Sequence, residues 1–123
     1  MRLTELIRNV DELVPNAFSN KQKTRWINQL ERRIQSEVFL WDVTSMLVEY
    51  EYPANEDDPD PELLVSGTYE EMYEQYLTAQ IDLHNREYDH YQNSMAVFEE
   101  TFHSFAAWFI NKYHPADRAG CSC

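Results

Sequence analysis

The chain has 123 residues, of which 43% are hydrophobic and 14% aromatic, and its formal net charge is −12. This composition supplies one buried core and excludes a disordered chain, while the length leaves no room for two domains. A chain this acidic repels a phosphate backbone, so we expect no specific binding to nucleic acid. Only 2 glycines are present, which excludes a glycine-rich phosphate-binding loop.

The charges are unevenly distributed along the chain. Residues 1–40 carry seven Lys/Arg and five Asp/Glu, whereas residues 41–100 carry sixteen Asp/Glu and one basic residue, Arg86. Two interpretations stay open at this point. The polarity could let copies of the chain meet head to tail, or the acidic residues could simply solvate a surface.

Hydropathy and cysteine positions bear on the compartment. No run of about 18 apolar residues is present, so we expect no membrane span, and the N-terminus lacks the apolar core of a signal peptide. The two cysteines, Cys121 and Cys123, are too close in sequence for an unstrained disulfide. These features predict a reducing cytoplasm, with residues 116–123 as a flexible tail.

Two helices are predicted in the first 40 residues. The first covers residues 4–14, with Thr4 as its N-cap and Pro15 after its end. The second covers residues 19–40 and begins with a capping box at Ser19. Its apolar stripe supplies three predicted core residues: Trp26, Leu30 and Ile34.

An arm is predicted at about residues 42–67, inserted into the helical body. The run from Met46 to Tyr52 alternates apolar and acidic residues, which is the period of a strand. An acidic, proline-punctuated loop follows at 55–62, and Leu63–Val65 could return as a partner strand. We therefore expect a small β-hairpin or an extended arm.

Two further helices are predicted at 69–84 and 87–113, separated by a break near Asn85. The first of them opens with a capping box at Thr68. The second carries an apolar seam at heptad spacing: Tyr88, Tyr91, Met95, Phe98, Phe102, Phe105 and Phe109. We interpret this seam as core and expect four more residues to be largely buried: Tyr76, Phe98, Phe102 and Phe105. The predicted fold is mainly α, a small helical bundle forming a single domain over residues 1–115.

Residues able to catalyse a reaction or bind a metal do not form a convincing set. Asp82 and His84, with Asp89 and His90, offer carboxylates and imidazoles, but helical spacing places the two histidines on nearly opposite sides. The Cys121-Ser122-Cys123 tail could chelate a soft metal but has no surrounding shell. We therefore predict no enzyme activity, no cofactor and no metal.

The part of the chain predicted to bind other molecules is the segment from Met46 to Leu64. A strand with open backbone groups can add to the edge of a neighbour's sheet. The basic second helix is the natural counter-surface for the acidic loop. The candidate oligomer interface therefore comprises Lys21, Lys23, Arg25, Arg32, Arg33, Tyr50, Tyr52, Glu56, Asp57, Asp58 and Asp60.

Several runs of the sequence resemble a family of small proteins encoded in phages and prophages of Gram-positive bacteria. The resemblance covers nearly the whole chain except the cysteine tail. The matching runs are 10–19, 21–27, Glu37-Val38, 50–53, 63–65, 69–77, 79–82, Glu87-Tyr88 and 91–98. Where the family usually shows an Asn-Gly turn before the last helix, this sequence has Asn85-Arg86.

This resemblance implies a virion structural protein. Genes of the family typically lie just after the major capsid gene, where head–tail connector (head-completion adaptor) proteins are encoded. Those adaptors are short helical bundles with an extended arm, assembled as an oligomeric ring on the portal. The implied partners are copies of the chain itself, the portal protein and neighbouring neck or tail-completion proteins. The implied location is the virion neck, with the host cytoplasm during assembly.

Two alternatives to the adaptor remain. One is another virion assembly component, such as a tail-completion protein or a scaffold. The other is a cytosolic regulatory module that binds a host protein through the aromatic last helix. An acidic surface would also suit a channel through which DNA slides.

Overall fold

The computed structural model describes residues 1–40 and 47–113. Four α-helices lie in these residues: α1 (Leu3–Leu13), α2 (Asn20–Arg33), α3 (Glu71–His84) and α4 (Tyr88–Tyr113). A π-helical turn, Ile34–Val38, continues α2, and a 3₁₀ turn, Gly67–Tyr69, precedes α3. The predicted mainly helical fold class is confirmed. The predicted tail, with both cysteines, lies outside the described residues, as does the start of the predicted arm at 42–46.

The helices enclose one hydrophobic core, with α3 packed against α1, α2 and α4. Of the predicted core residues, six are at most 3% exposed: Trp26, Leu30, Ile34, Phe98, Phe102 and Phe105. Tyr76 is only partly buried, and its ring packs edge-on against Phe98 with centroids 5.0 Å apart. The periodicity of the apolar residues was therefore a sound guide to the core.

The aromatic seam of α4 is buried only in its middle. Phe98, Phe102 and Phe105 face the core, whereas Tyr88 is 56% exposed. Helix α4 has 26 residues and α3 has 14, so the C-terminal turns of α4 run past the helix that covers the seam. Consequently Trp108 and Tyr113 remain 42% and 54% exposed.

The predicted β-hairpin is wrong for the described residues 47–66, which contain no strand pairing within the segment. Leu63–Val65 does not return against the residues before the acidic loop. It lies beside the start of the chain, where Leu63 donates its amide to the Met1 carbonyl at 3.0 Å and Leu3 donates to the Pro61 carbonyl at 2.9 Å. These bonds form an isolated antiparallel bridge between Arg2 and Glu62.

Two of the predicted helix caps are also wrong. Thr4 lies inside α1. The cap of this helix is the carboxylate of Asp60, in the acidic loop, which accepts hydrogen bonds from both the amide and the hydroxyl of Thr4. Thr68 does not cap α3. The predicted Ser19 cap of α2 is confirmed, because its hydroxyl accepts the Gln22 amide at 3.0 Å.

The predicted break before α4 is confirmed as a tight turn. The amides of Arg86 and Glu87 donate back to the carbonyls of Leu83 and Asp82, at 3.0 and 2.9 Å, which is the Schellman pattern at a helix C-terminus. Arg86 has φ 61°, a conformation that favours glycine. The turn reverses the chain so that α4 packs along α3.

Candidate functional site: a charged groove beside helix α2

An open groove of about 700 Å³ runs between α2 and residues 49–52. One wall consists of side chains from α2: Lys21, Thr24, Arg25, Asn28, Gln29 and Arg32. The other wall consists of Glu49, Tyr50, Glu51 and Tyr52. The α2 residues recur every three or four positions, so they share one face of the helix. Their side chains are polar or cationic, which predicts a polar ligand.

Polar side chains of α2 and of the π-helical turn that continues it fix the second wall in place. Asn28 donates to the Tyr50 carbonyl at 3.1 Å and accepts the Tyr50 amide at 2.8 Å. Gln35 accepts the amide of Val48 at 3.0 Å, and Arg32 donates to the Val48 carbonyl at 3.3 Å. These side chains supply the donors and acceptors that a neighbouring strand would supply. The backbone groups of Val48 and Tyr50 are therefore satisfied without a second strand.

A buried carboxylate ties the same segment to the core. Glu31 is fully buried, and its oxygens accept from the hydroxyl of Tyr50 at 2.6 Å and the hydroxyl of Tyr73 at 2.7 Å. It also accepts the amide of Leu64 at 2.9 Å. Glu31 therefore joins α2, α3 and both ends of the 47–66 segment at one point. We call this arrangement the Glu31 cluster, comprising Glu31, Tyr50, Leu64 and Tyr73.

Burial raises the pKa of the Glu31 carboxyl, although the hydrogen bonds from Tyr50, Leu64 and Tyr73 oppose that shift. Burial and the neighbouring carboxylate likewise raise the pKa of both tyrosine hydroxyls, so these stay protonated and donate. Because Glu31 and Tyr73 are fully buried, they cannot contact a substrate from solvent. The cluster is a structural anchor of the groove wall.

The cations of the groove differ in how they are paired. Arg32 lies 3.9 Å from the Glu49 carboxylate across the groove. Lys21 and Arg25 are exposed and form no ion pair with any residue in 1–40 or 47–113. They lie four positions apart on α2, so their side chains are neighbours. The groove therefore presents two adjacent cations to solvent.

Two of the basic residues predicted for the interface lie elsewhere. Lys23 is 3% exposed and its ammonium group pairs with Asp11 on α1 at 2.7 Å. Arg33 pairs with Glu37 and Glu99, and its guanidinium lies 4.1 Å from the centre of the Phe102 ring. Both cations are used inside the molecule, so neither faces the groove.

The acidic residues predicted for the interface also separate into two groups. Asp58 accepts the amides of Ala54 and Asn55 at 3.0 Å, and its own amide donates to the Asn55 carbonyl at 3.1 Å. These bonds close a tight turn, which we call the acidic turn (residues 54–58). Asp60 is occupied in capping α1. Glu56 and Asp57, at the tip of the turn, are exposed and unpaired among the described residues.

The two predicted tyrosines occupy different positions in the groove wall. Tyr50 lines the groove, but its hydroxyl points inward to Glu31. Tyr52 is partly buried and lines both this groove and a shallower one against α1. Of the eleven predicted interface residues, the structure therefore brings five together in the groove: Lys21, Arg25, Arg32, Tyr50 and Tyr52.

The histidines considered as metal ligands lie apart from each other. His84 stacks on the Trp26 ring, with centroids 4.7 Å apart, and its Nδ1 lies 2.8 Å from the Gln80 carbonyl oxygen. His90 lies across the turn beside Asp82 and Glu87, and the three offer ligand atoms within 4.8 Å of one another. The spacing argument missed this approach, because the turn at Arg86 brings the start of α4 back to the end of α3.

Sequence reasoning missed the residues that build the groove wall, Glu31 and Asn28. A signal for Glu31 was present, because it lies four positions after Ile27 and three before Ile34, on the apolar stripe of α2. A charged residue on such a stripe is buried only with partners. The partners themselves come from 19 to 42 residues away in sequence, so they could not be assigned from helical spacing.

None of the helices in the described ranges is long and apolar enough to cross a bilayer. Comparisons of the chain with protein-family models, with curated proteins and with solved structures find no match. The geometry and charge of the groove and of the acidic turn are therefore the observations from which function is inferred.

Proposed function

We propose that the chain is a structural component of a phage virion, a head–tail connector (head-completion adaptor) that forms an oligomeric ring on the portal. Its working part is a surface for protein–protein contact, and its partners are further copies of itself, the portal protein and neighbouring neck or tail-completion proteins. It acts in the virion neck, after assembly in the host cytoplasm.

One observation carries this proposal: the chain presents two surfaces of opposite charge whose key side chains form no ion pair with any residue in 1–40 or 47–113. The groove exposes Lys21 and Arg25, and the acidic turn exposes Glu56 and Asp57. A ring requires each copy to offer two different surfaces that fit each other, because its contacts are heterologous. Complementary charge speeds and orients such an encounter.

The sequence resemblance and the architecture support the same assignment. The runs from Val10 to Phe98 resemble phage and prophage proteins of Gram-positive bacteria, and adaptors of that kind are short helical bundles with an extended arm. Here the arm is the 47–66 segment, anchored by the Glu31 cluster. An anchored arm loses little conformational entropy when it joins an assembly.

The test is incorporation into particles. A tagged copy is expressed during induction of the prophage that encodes it, and purified particles are probed for the tag. We expect the tag in complete virions and, in a pull-down, bound to the portal protein. Particles that assemble normally without the protein, together with no binding to portal, would overturn the adaptor assignment. If the tag is present in immature heads but absent from mature particles, the protein is a scaffold instead.

A second function, a regulatory module that binds a host protein, is favoured by the exposed aromatic end of α4. Trp108 and Tyr113 are 42% and 54% exposed, and the Lys112 ammonium lies 5.1 Å from the Trp108 ring. Exposed aromatic side chains on a helix are common anchors in protein recognition. Light scattering separates the two functions, since an adaptor forms oligomers or binds portal and a regulator stays monomeric.

A further inference from the structure

We infer that the acidic turn of one copy enters the groove of a second copy, with Glu56 and Asp57 pairing with Lys21 and Arg25. This inference deepens the proposed function. It rests on that function in one respect, the assumption that copies of the chain bind each other. It narrows the eleven predicted interface residues to four that carry the contact. The other seven residues fix the backbone of the acidic turn, line the groove or form contacts elsewhere in the molecule.

The acidic turn has the properties of a preformed ligand. Its backbone is fixed by the Asp58 carboxylate, which accepts two amides of the turn, and by the bond from the Asp58 amide to Asn55. Just beyond it, Asp60 attaches the chain to the first turn of α1. The tip therefore projects Glu56 and Asp57 from a fixed base. A rigid loop of this kind loses little entropy on binding.

The groove has the complementary properties. Lys21 and Arg25 are adjacent on one wall, and the opposite wall is fixed by Asn28 and Gln35 rather than being free to close. On the same wall as these cations, the exposed amide of Gln29 can donate a hydrogen bond to a carboxylate. The lining carries three cations, Lys21, Arg25 and Arg32, against the carboxylates of Glu49 and Glu51, so the groove keeps a net positive charge that a projecting acidic turn complements.

A second copy is the occupant that the charges favour. The 47–66 segment carries seven Asp/Glu and no Lys/Arg, while residues 1–40 hold seven of the ten basic residues of the chain. Within that basic part, Lys23, Arg32 and Arg33 are engaged by partners of the same chain. Lys21 and Arg25 are the adjacent pair on α2 that remains, and Glu56 with Asp57 is the matching acidic pair.

The experiment uses charge reversal in the full-length chain. One variant, K21E/R25E, makes the groove acidic, and the other, E56K/D57K, makes the turn basic. Each variant alone has groove and turn of like charge, so each should self-associate less, with a dissociation constant raised by about tenfold or more. An equimolar mixture restores both contacts, because the basic turn fits the acidic groove and the unchanged acidic turn fits the unchanged basic groove.

Matched controls separate this contact from the effect of net charge. R8E/R86E changes the net charge as K21E/R25E does, and E12K/E100K changes it as E56K/D57K does. All eight positions are exposed and form no ion pair among the described residues, so the variants should fold like wild type, as circular dichroism can check. The control mixture should behave as the average of its two components.

Light scattering and sedimentation equilibrium give the readout. The inference predicts that wild type self-associates and that each charge-reversed variant on its own does not. Association should return when the two charge-reversed variants are mixed, but the mixture of the two control variants should show no such gain. A wild-type chain that stays monomeric at about millimolar concentration, or reversed variants that do not recover on mixing, would overturn it. If the chain forms a closed dimer through this contact, the contact stands and the ring is overturned. If the chain is incorporated into virions but does not self-associate, this contact is overturned and the role as a virion component stands.

Discussion

The flanks and the tip of the 47–66 segment have similar composition but opposite roles. Both are acidic and non-helical, yet the flanks are bonded into the core through Glu31 and into α1 through Asp60, while the tip at Glu56 and Asp57 bonds to nothing described. The difference shows that an acidic, proline-rich segment need not be a solvated linker. Its role depends on which of its polar groups the rest of the chain satisfies.

The largest effect is expected for Glu31→Ala, which removes the shared acceptor of the flanks. The Tyr73 hydroxyl and the Leu64 amide lose their acceptor, at about 1–3 kcal/mol for each group left unsatisfied, whereas the Tyr50 hydroxyl keeps the Glu62 carbonyl as an acceptor. We expect the free energy of unfolding in urea to fall by about 3 kcal/mol or more. Glu100→Ala, an exposed control, should change it by less than about 0.5 kcal/mol. A fall below about 1 kcal/mol for Glu31→Ala would mean that the cluster does not anchor the segment.

Asp60→Ala tests the second flank. Losing the α1 cap should lower the free energy of unfolding by about 1–2 kcal/mol, as for other N-cap substitutions. Asp60→Asn, which keeps an acceptor, is the control and should lose less.

Deleting residues 55–62 also removes Asp60 and with it the α1 cap, so this deletion should destabilise the protein. The sequence alone, in which these residues look like a surface loop, predicts almost no change in stability. Unchanged stability after the deletion would show that α1 is capped in another way.

The pH dependence of stability isolates Glu31 from the other carboxyls. Its folded-state pKa lies above its unfolded value, so its contribution to stability is full below the unfolded pKa of about 4.3 and falls as pH rises through the folded pKa. In Glu31→Gln this contribution does not titrate. Wild type should therefore gain stability relative to Glu31→Gln as pH is lowered from 7 towards 4. A difference between the two proteins that is flat across this range would contradict the raised pKa.

The smallest effect on stability is expected at the tip. E56A/D57A removes two exposed carboxylates without a described partner, so the free energy of unfolding should change by less than about 0.5 kcal/mol. The same variant should nevertheless weaken self-association. A clear loss of stability would place the tip with the flanks and end the distinction between them.

The sequence predicted well what depends on local spacing. The positions of α1, α2, α3 and α4 follow from apolar periodicity, and the Ser19 cap follows from a signal within three residues. Burial of Phe98, Phe102 and Phe105 follows from the heptad seam. Each of these features is determined within a few turns of one helix.

The features that sequence reasoning missed all join distant residues. Asp60 caps a helix that begins 57 positions earlier, at Leu3. The side chain of Asn28 bonds the amide and the carbonyl of Tyr50, as a neighbouring strand would. The alternation in residues 46–52 could not reveal that the backbone partners of Val48 and Tyr50 are side chains of a helix rather than a strand. For the same reason, Lys21 and Lys23 looked equivalent until Asp11 was found beside Lys23.

Chemical crosslinking between separate copies tests the contact most directly. In a C121S/C123S background, one chain carries Arg25→Cys in the groove and a second, size-tagged chain carries Glu56→Cys at the tip. A short bis-maleimide reagent is added to the equimolar mixture, and Arg8→Cys replaces Arg25→Cys as the control. We predict a crosslinked product of tagged and untagged chains with Arg25→Cys and little with Arg8→Cys. No crosslinked product, or equal amounts with both partners, would contradict the pairing of groove and turn.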